Sequence, residues 1–246
     1  MSNTNRYEPS KEHLLAIFHI FQYYFDKIFP NKHCYLCHQT SDTLVCEYCL
    51  TDTYLHLLPA PGHNLLENQS IVGNIVPPLY SGLYALSEYK GVVRALVNQL
   101  KFSGKTLAAN VLAEFFEYYL GGKLNINQAI PEAVVPVPLS NQRHISRQYN
   151  QSRILSLELA KHFSINSDDL LLRTVNTKQQ SSLDKNERML NIRGAFKVAK
   201  PIDYLSIALV DDVVTTGATI NEACKTILEH NPDIDISVWC MAITLK

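Results

Sequence analysis

The residues with the most chemical content lie at 207–219: Ile207-Ala208-Leu209-Val210-Asp211-Asp212-Val213-Val214-Thr215-Thr216-Gly217-Ala218-Thr219. A hydrophobic run ends in two adjacent acids, and a turn rich in Thr and Gly then opens a helix. Ile220, Ala223, Cys224, Ile227 and Leu228 follow at i, i+3, i+4, i+7 and i+8, the spacing of one apolar helix face. Thr219 and Glu222 have the spacing of a capping box. A turn of this kind presents unpaired N–H groups at the positive end of a helix and so favours an anion. Gly217 lets the backbone approach closely, and the Thr hydroxyls add donors. The acids need a separate reason, because a carboxylate aimed at a phosphate repels it. Asp211 and Asp212 fit a phosphate that carries a sugar: they accept from its 2′ and 3′ hydroxyls or lie near Mg²⁺. The implied ligand is a ribose 5-phosphate compound. The plainer alternative is a strand-turn-helix with solvated acids. Two acids at the carboxyl end of a parallel strand, however, stand where open α/β sheets bind ligands.

A second constellation is Cys34-x-x-Cys37 with Cys46-x-x-Cys49. Two such knuckles supply four soft ligands, a tetrahedral thiolate cage that suits Zn²⁺ and leaves no open position. A closed site of this kind is structural. His33 and His38 flank ligands and compete in principle, but four cysteines suffice. Cys224 falls on an apolar helix face and Cys240 in a strand, and both read as core residues. Four of the six cysteines lie within sixteen residues. That clustering points to metal in a reducing, cytoplasmic compartment rather than to a disulfide scaffold.

The elements that must position these groups follow from periodicity. Residues 1–30 hold an apolar-faced helix over 11–29, and 31–52 form the metal module. Residues 53–78, with Pro59, Pro61, Gly62, Pro77 and Pro78, read as a linker. Residues 79–246 read as the main domain. Strands are expected at 79–86, 133–137, 205–210 and 236–243, with helices near 89–101, 105–120, 150–163 and 219–230. Alternating strands and helices imply parallel β-α-β units. The stretch 174–194 is polar and basic and reads as an excursion with a short helix.

A chain of 246 residues with 46 % hydrophobic residues can fill a core, which excludes global disorder. No stretch has the roughly 18–20 apolar residues of a membrane span. Stable membrane insertion is therefore not expected, and neither is a secretory signal. The formal net charge of −1 conceals an asymmetry: 139–200 carries +6 and 201–246 carries −5. The basic stretch calls for an anionic partner or for the acidic tail beside it.

At 207–219 the chain resembles the type I phosphoribosyltransferases, which bind phosphoribosyl pyrophosphate (PRPP). More widely it resembles the ComF/GntX family of late-competence proteins. The matching pieces are Phe29-Pro30-Asn31-Lys32-His33-Cys34-Tyr35-Leu36-Cys37, the stretch from Tyr89-Lys90-Gly91 to Leu100-Lys101-Phe102, and Val134-Val135-Pro136-Val137-Pro138-Leu139. Arg147-Gln148-Tyr149-Asn150-Gln151-Ser152, Leu172-Arg173, Gln180, Arg188, Asn191 and Ala195-Phe196 complete them. Where the family usually has Arg-Gly-Phe-Asn-Gln, this chain has Gln148 in place of the glycine. A second downstream cysteine set, present in many members, is absent from 53–78, so one zinc is expected.

The resemblance implies an α/β fold: a type I phosphoribosyltransferase-like parallel sheet flanked by helices, with a small N-terminal zinc-ribbon module. It implies PRPP with Mg²⁺ at Asp211, Asp212, Val213, Val214, Thr215, Thr216, Gly217, Ala218 and Thr219. The pyrophosphate is expected on the turn after 134–138, at Leu139, Ser140, Asn141, Arg143 and Arg147, where arginines supply bidentate donors. Lys101 and Arg173 match family positions without an assigned role. Three functions follow. The first is a PRPP-binding protein in uptake or handling of single-stranded DNA during natural transformation, with other DNA-uptake proteins as partners. The second is an active phosphoribosyltransferase with an unidentified acceptor, in which Asp211 and Asp212 are the catalytic candidates. The third is a PRPP-sensing regulator.

Overall fold

The structure is a computed structural model, and it describes residues 33–54, 63–121, 130–139, 149–174 and 192–245. The chain divides into two compact units, Met1–Asp52 and Thr53–Lys246. The expected helix at 11–29 and most of the basic excursion lie outside the described residues, as do Gln180, Arg188 and Asn191.

In the first unit, an isolated antiparallel bridge joins His33 to Thr40, and Cys34 N–H donates to the Gln39 carbonyl at 2.7 Å. His38 has φ 60 and closes the first knuckle, with its N–H on the Cys34 carbonyl. Helix α1, Glu47–Tyr54, starts directly after Cys46.

The second unit is built on a parallel sheet in the order β1-β7-β6-β2-β3. The strands are β1 (Gly82–Glu88), β2 (Ala133–Pro136), β3 (Asn166–Ser167), β6 (Ser206–Val214) and β7 (Asp235–Ile243). Every pairing in this sheet is parallel. The expected class, a parallel sheet flanked by helices, is the observed one. Numbered in chain order after a short helix α2 at Gln69–Val72, the helices are α3 (Gly91–Phe102), α4 (Leu107–Phe116), α5 (Gln151–Phe163) and α6 (Ala218–Leu228).

Parallel sheets are covered on both faces, so alternate residues of one strand enter two different cores. On β7, Ile236, Val238 and Cys240 join Ile220, Ala223 and Ile227 of α6 in one buried cluster. Trp239 faces the other way, with its ring centroid 5.2 Å from Phe116 of α4 and 4.9 Å from Phe163 of α5.

Two elements depart from the sequence reading. The sequence reading leaves the flanks of 174–194 unassigned, and they form a two-stranded antiparallel ribbon, β4 (Leu171–Arg173) with β5 (Phe196–Val198). Strands of three residues are too short to show a period. The second departure concerns 53–78. From residue 63 the segment is docked on the sheet domain. Leu65, Ile71, Ile75 and Tyr80 are buried in the α6-side cluster. Asn64 reaches the edge strand, accepting from Leu83 N–H at 3.0 Å and donating to the Ser81 carbonyl at 2.9 Å. Its prolines and asparagines suggest a linker, but the isolated apolar residues between them pin it down.

Candidate ligand site and metal centre

The acids lie inside β6 rather than at its end. Strand pairing with β7 continues past them, from Asp211 opposite Cys240 to Val214 opposite Ile243. Adjacent strand residues project to opposite faces, and the two carboxylates accordingly find different partners. Ser152, in the first turn of α5, donates its hydroxyl to Asp211 Oδ1 at 3.0 Å, and Asp212 N–H reaches the same oxygen at 2.9 Å. Asp212 Oδ1 pairs with Lys101 Nζ at 2.9 Å, with both side chains largely buried. Burial, and next the charge of Asp212, push the Asp211 carboxyl up to about 6. The Asp212 N–H, Lys101 and Ser152 oppose this rise.

Ser152 and Lys101, which hold the two acids, are residues to which the sequence alone assigns no role. Both sit in motifs singled out above. Asn150 accepts from Ser152 N–H as the cap of α5 and donates to the Val137 carbonyl at 3.1 Å. The Tyr149 hydroxyl donates to the Leu100 carbonyl, next to Lys101. The motif at 149–152 thus ties the start of α5 to the end of β2 and to the last turn of α3.

Beyond β6 the chain turns at Thr215, Thr216 and Gly217 and enters α6. Gly217 caps the helix with φ 74 and ψ −1, the left-handed region that glycine tolerates. Helix α6 starts at Ala218, so Thr219 lies inside its first turn and the capping box does not form. Glu222 instead accepts from Gly194 N–H at 2.6 Å. A side chain at Gly217 would meet the Tyr80 hydroxyl at 3.6 Å, Ile75 at 3.7 Å and Val76 at 3.8 Å. The glycine therefore turns its bare side toward the docked segment 63–80. That segment braces the loop: Val76 N–H donates to the Thr216 carbonyl at 2.9 Å, and the Asn221 amide spans the Pro77 carbonyl and Leu79 N–H. The Tyr80 hydroxyl is buried, with no hydrogen-bond partner among the described residues.

Residues 211–219 are thus brought together as one strand-turn-helix. Of the expected pyrophosphate residues, Leu139 is half-buried just beyond β2. Ser140, Asn141, Arg143 and Arg147 lie outside the described residues. The Arg173 guanidinium stands 5.4 Å from the Phe196 ring centroid across the ribbon.

In the first unit, the Sγ atoms of Cys34, Cys37, Cys46 and Cys49 all lie within 4.8 Å of one another. Cys37 and Cys46 are 3.8 Å apart. Metal–sulfur bonds of about 2.3 Å in a tetrahedron place sulfurs about 3.8 Å apart, so the donor set fits Zn²⁺. Burial opposes ionisation of Cys34, yet hydrogen bonds from the backbone of Cys37, Cys46 and Leu36 outweigh it and draw the thiol down to about 6. Burial and the three neighbouring sulfurs push Cys49 up. Four thiols this close cannot all ionise without a cation between them. His33 and His38 are exposed and outside the cluster. Cys224 and Cys240 are buried, as expected of core residues, and burial pushes both thiols up.

Among the described residues no helix is long and apolar enough to cross a membrane. No protein-family model matches the chain. The DNA utilization protein YhgH of Escherichia coli K12 is 30 % identical over 217 residues, 86 % of this chain and 90 % of that protein. Its counterpart in Salmonella typhimurium is 33 % identical over 171 residues, 69 % and 75 % of the two chains. Competence protein F of Haemophilus influenzae is 31 % identical over 170 residues, 67 % and 74 %. Identity at this level across nine-tenths of one such protein makes the chain a member of the ComF family, to which these DNA utilization and competence proteins belong.

Proposed function

We propose that the protein binds PRPP with Mg²⁺ at 211–219, holds a structural Zn²⁺ on Cys34, Cys37, Cys46 and Cys49, and acts in uptake or handling of single-stranded DNA during natural transformation. The observation that carries the ligand is the left-handed Gly217 capping α6, one short turn beyond the strand that holds the Asp211–Asp212 pair. The positive end of the α6 dipole suits the 5-phosphate. The carboxylates suit the ribose hydroxyls, and Mg²⁺ supplies charge neutralisation for the pyrophosphate. Leu139, Ser140, Asn141, Arg143 and Arg147 would hold that pyrophosphate. The DNA role draws support from the relatives' names and from the +6 charge of 139–200. Tyr48, 83 % exposed on the metal module, is suited to base stacking.

Two measurements test the reading on the zinc-loaded full chain. PRPP with Mg²⁺ at 100 times its Kd stabilises the fold by about 2.7 kcal/mol, which raises the melting midpoint by several degrees. No shift at millimolar PRPP overturns the ligand. Binding of single-stranded DNA should weaken with salt at a slope of about −0.7 per phosphate contact. Salt-independent binding, or binding that survives joint neutralisation of Arg143, Arg147 and Arg188, overturns the DNA surface. Pyrophosphate release from PRPP across a panel of acceptors separates binding from transfer.

A further inference from the structure

The acidic pair already has a cation of its own. Among the described residues, Lys101 is the only one whose charge lies within ion-pair distance of either carboxylate. Its ammonium is held from two sides. Asp212 Oδ1 lies 2.9 Å away, and the Tyr89 ring centroid lies 5.7 Å away, within cation–π range. Tyr89 is itself fixed. Its hydroxyl donates to Asn98 Oδ1 at 2.7 Å, one turn before Lys101 on α3, and its N–H donates to the Ile243 carbonyl at the end of β7. Lys101 also stands in the last turn of α3, where the helix dipole favours a positive charge. The position is therefore a built seat for an ammonium against Asp212.

We propose that Lys101 is a positioning residue that acts as a placeholder cation. In the empty site it occupies Asp212 and keeps the pair at one net negative charge, so that a bare divalent ion is not captured. When PRPP arrives with its own metal, the ribose hydroxyls take over Asp212, and the ammonium swings on its four-carbon stem to an anionic oxygen of the ligand. The inference rests on the PRPP reading above and adds an order to it: the metal enters with the sugar phosphate and not before. Lysine suits the task better than arginine. A compact point charge on a flexible stem gives up one carboxylate oxygen readily, whereas a guanidinium fork grips both.

The test uses Mn²⁺ as the probe, followed by electron paramagnetic resonance on zinc-loaded full-length protein without PRPP, and calorimetry of PRPP·Mg²⁺ in parallel. Lys101→Met should bind bare Mn²⁺ about tenfold more tightly than the parent, because Asp212 then keeps its negative charge with no cation beside it. It should also bind PRPP·Mg²⁺ more weakly. Adding Asp212→Asn to Lys101→Met should return Mn²⁺ affinity to the parental level. Lys101→Arg should leave Mn²⁺ binding low while still weakening PRPP·Mg²⁺. If Lys101→Met does not fold, Lys101→Gln keeps a hydrogen-bond donor without the charge and carries the same expectation. Parental Mn²⁺ affinity in the folded neutral variant overturns the placeholder role. Failure of the parent to bind PRPP·Mg²⁺ overturns the ligand reading instead, and the Mn²⁺ comparison still reports on Lys101 alone.

Discussion

Replacing Gly217 by alanine separates two reasons for a glycine at this turn. At φ 74 and ψ −1, an L-residue suffers a steric cost of about 1–2 kcal/mol. The reduced freedom of the unfolded chain offsets part of this, by about 0.4–1 kcal/mol. No clash adds to it, since the nearest atoms to the new methyl stand at 3.6–3.8 Å, which is ordinary contact. The net expectation is a loss of about 1 kcal/mol, or a midpoint lower by about 2–4 °C in a chain of this size. The methyl group points at Tyr80, Ile75 and Val76, not at the mouth of the loop, so the PRPP-induced rise in midpoint should persist. Gly217→Val should cost more, through a β-branched residue in the left-handed region and methyls pressed on an already filled contact. Differential scanning calorimetry with and without PRPP·Mg²⁺ reads both effects. An alanine variant with unchanged midpoint but no response to PRPP would refute the reasoning, because its methyl would then have to face the ligand.

Tyr80→Phe removes a buried hydroxyl without a partner, whose burial costs on the order of 1–3 kcal/mol; its urea midpoint should rise, and a fall would mean that the hydroxyl is satisfied. Cys46→Ser should abolish stoichiometric zinc and make the N-terminal unit susceptible to proteolysis, since metal binding is coupled to folding, while the main calorimetric transition of the sheet domain stays in place. The Asp211 carboxyl titrates near 6, above its unfolded value. Between about pH 6 and pH 4 the native state therefore binds more protons, and the fold gains stability as pH falls through that window, on the order of 1–3 kcal/mol. Asp211→Asn should remove that part of the pH dependence, and PRPP·Mg²⁺ binding to the parent should weaken over the same range.

The loop, the cysteine set and the order of the main strands and helices were legible because each carries a dense local signal. The 3.6-residue period after Gly217 and the paired C-x-x-C spacing are examples. The partners of the acids were not. Lys101 and Ser152 lie 111 and 60 positions from Asp212 in the chain, and only folding of α3 and α5 over the carboxyl ends of the strands brings them in. The extent of β6 was also hidden, because two acids in a row look like the end of a strand. They remain in the ladder because β7 runs equally far alongside. The helix cap was misplaced by two residues for a related reason: Thr219 and Glu222 fit the cap pattern, but the left-handed Gly217 caps α6, which begins at Ala218.

The segment at 63–80 sets where this protein can be cut or recombined. A gene fragment encoding only 79–246 would keep every strand of the sheet and both acids. It would strip Leu65, Ile71 and Ile75 from the cluster over α6 and remove the Val76 N–H that holds Thr216. Such a fragment should be sticky and poorly expressed, with a slack turn at 215–217. A fragment opening at Thr53, the first residue of the compact unit, keeps that cover. The natural seam for gene fusion, domain exchange or an inserted affinity tag therefore lies upstream of Asn64, and a lineage that discards the metal module has to leave this belt of residues behind on the sheet domain.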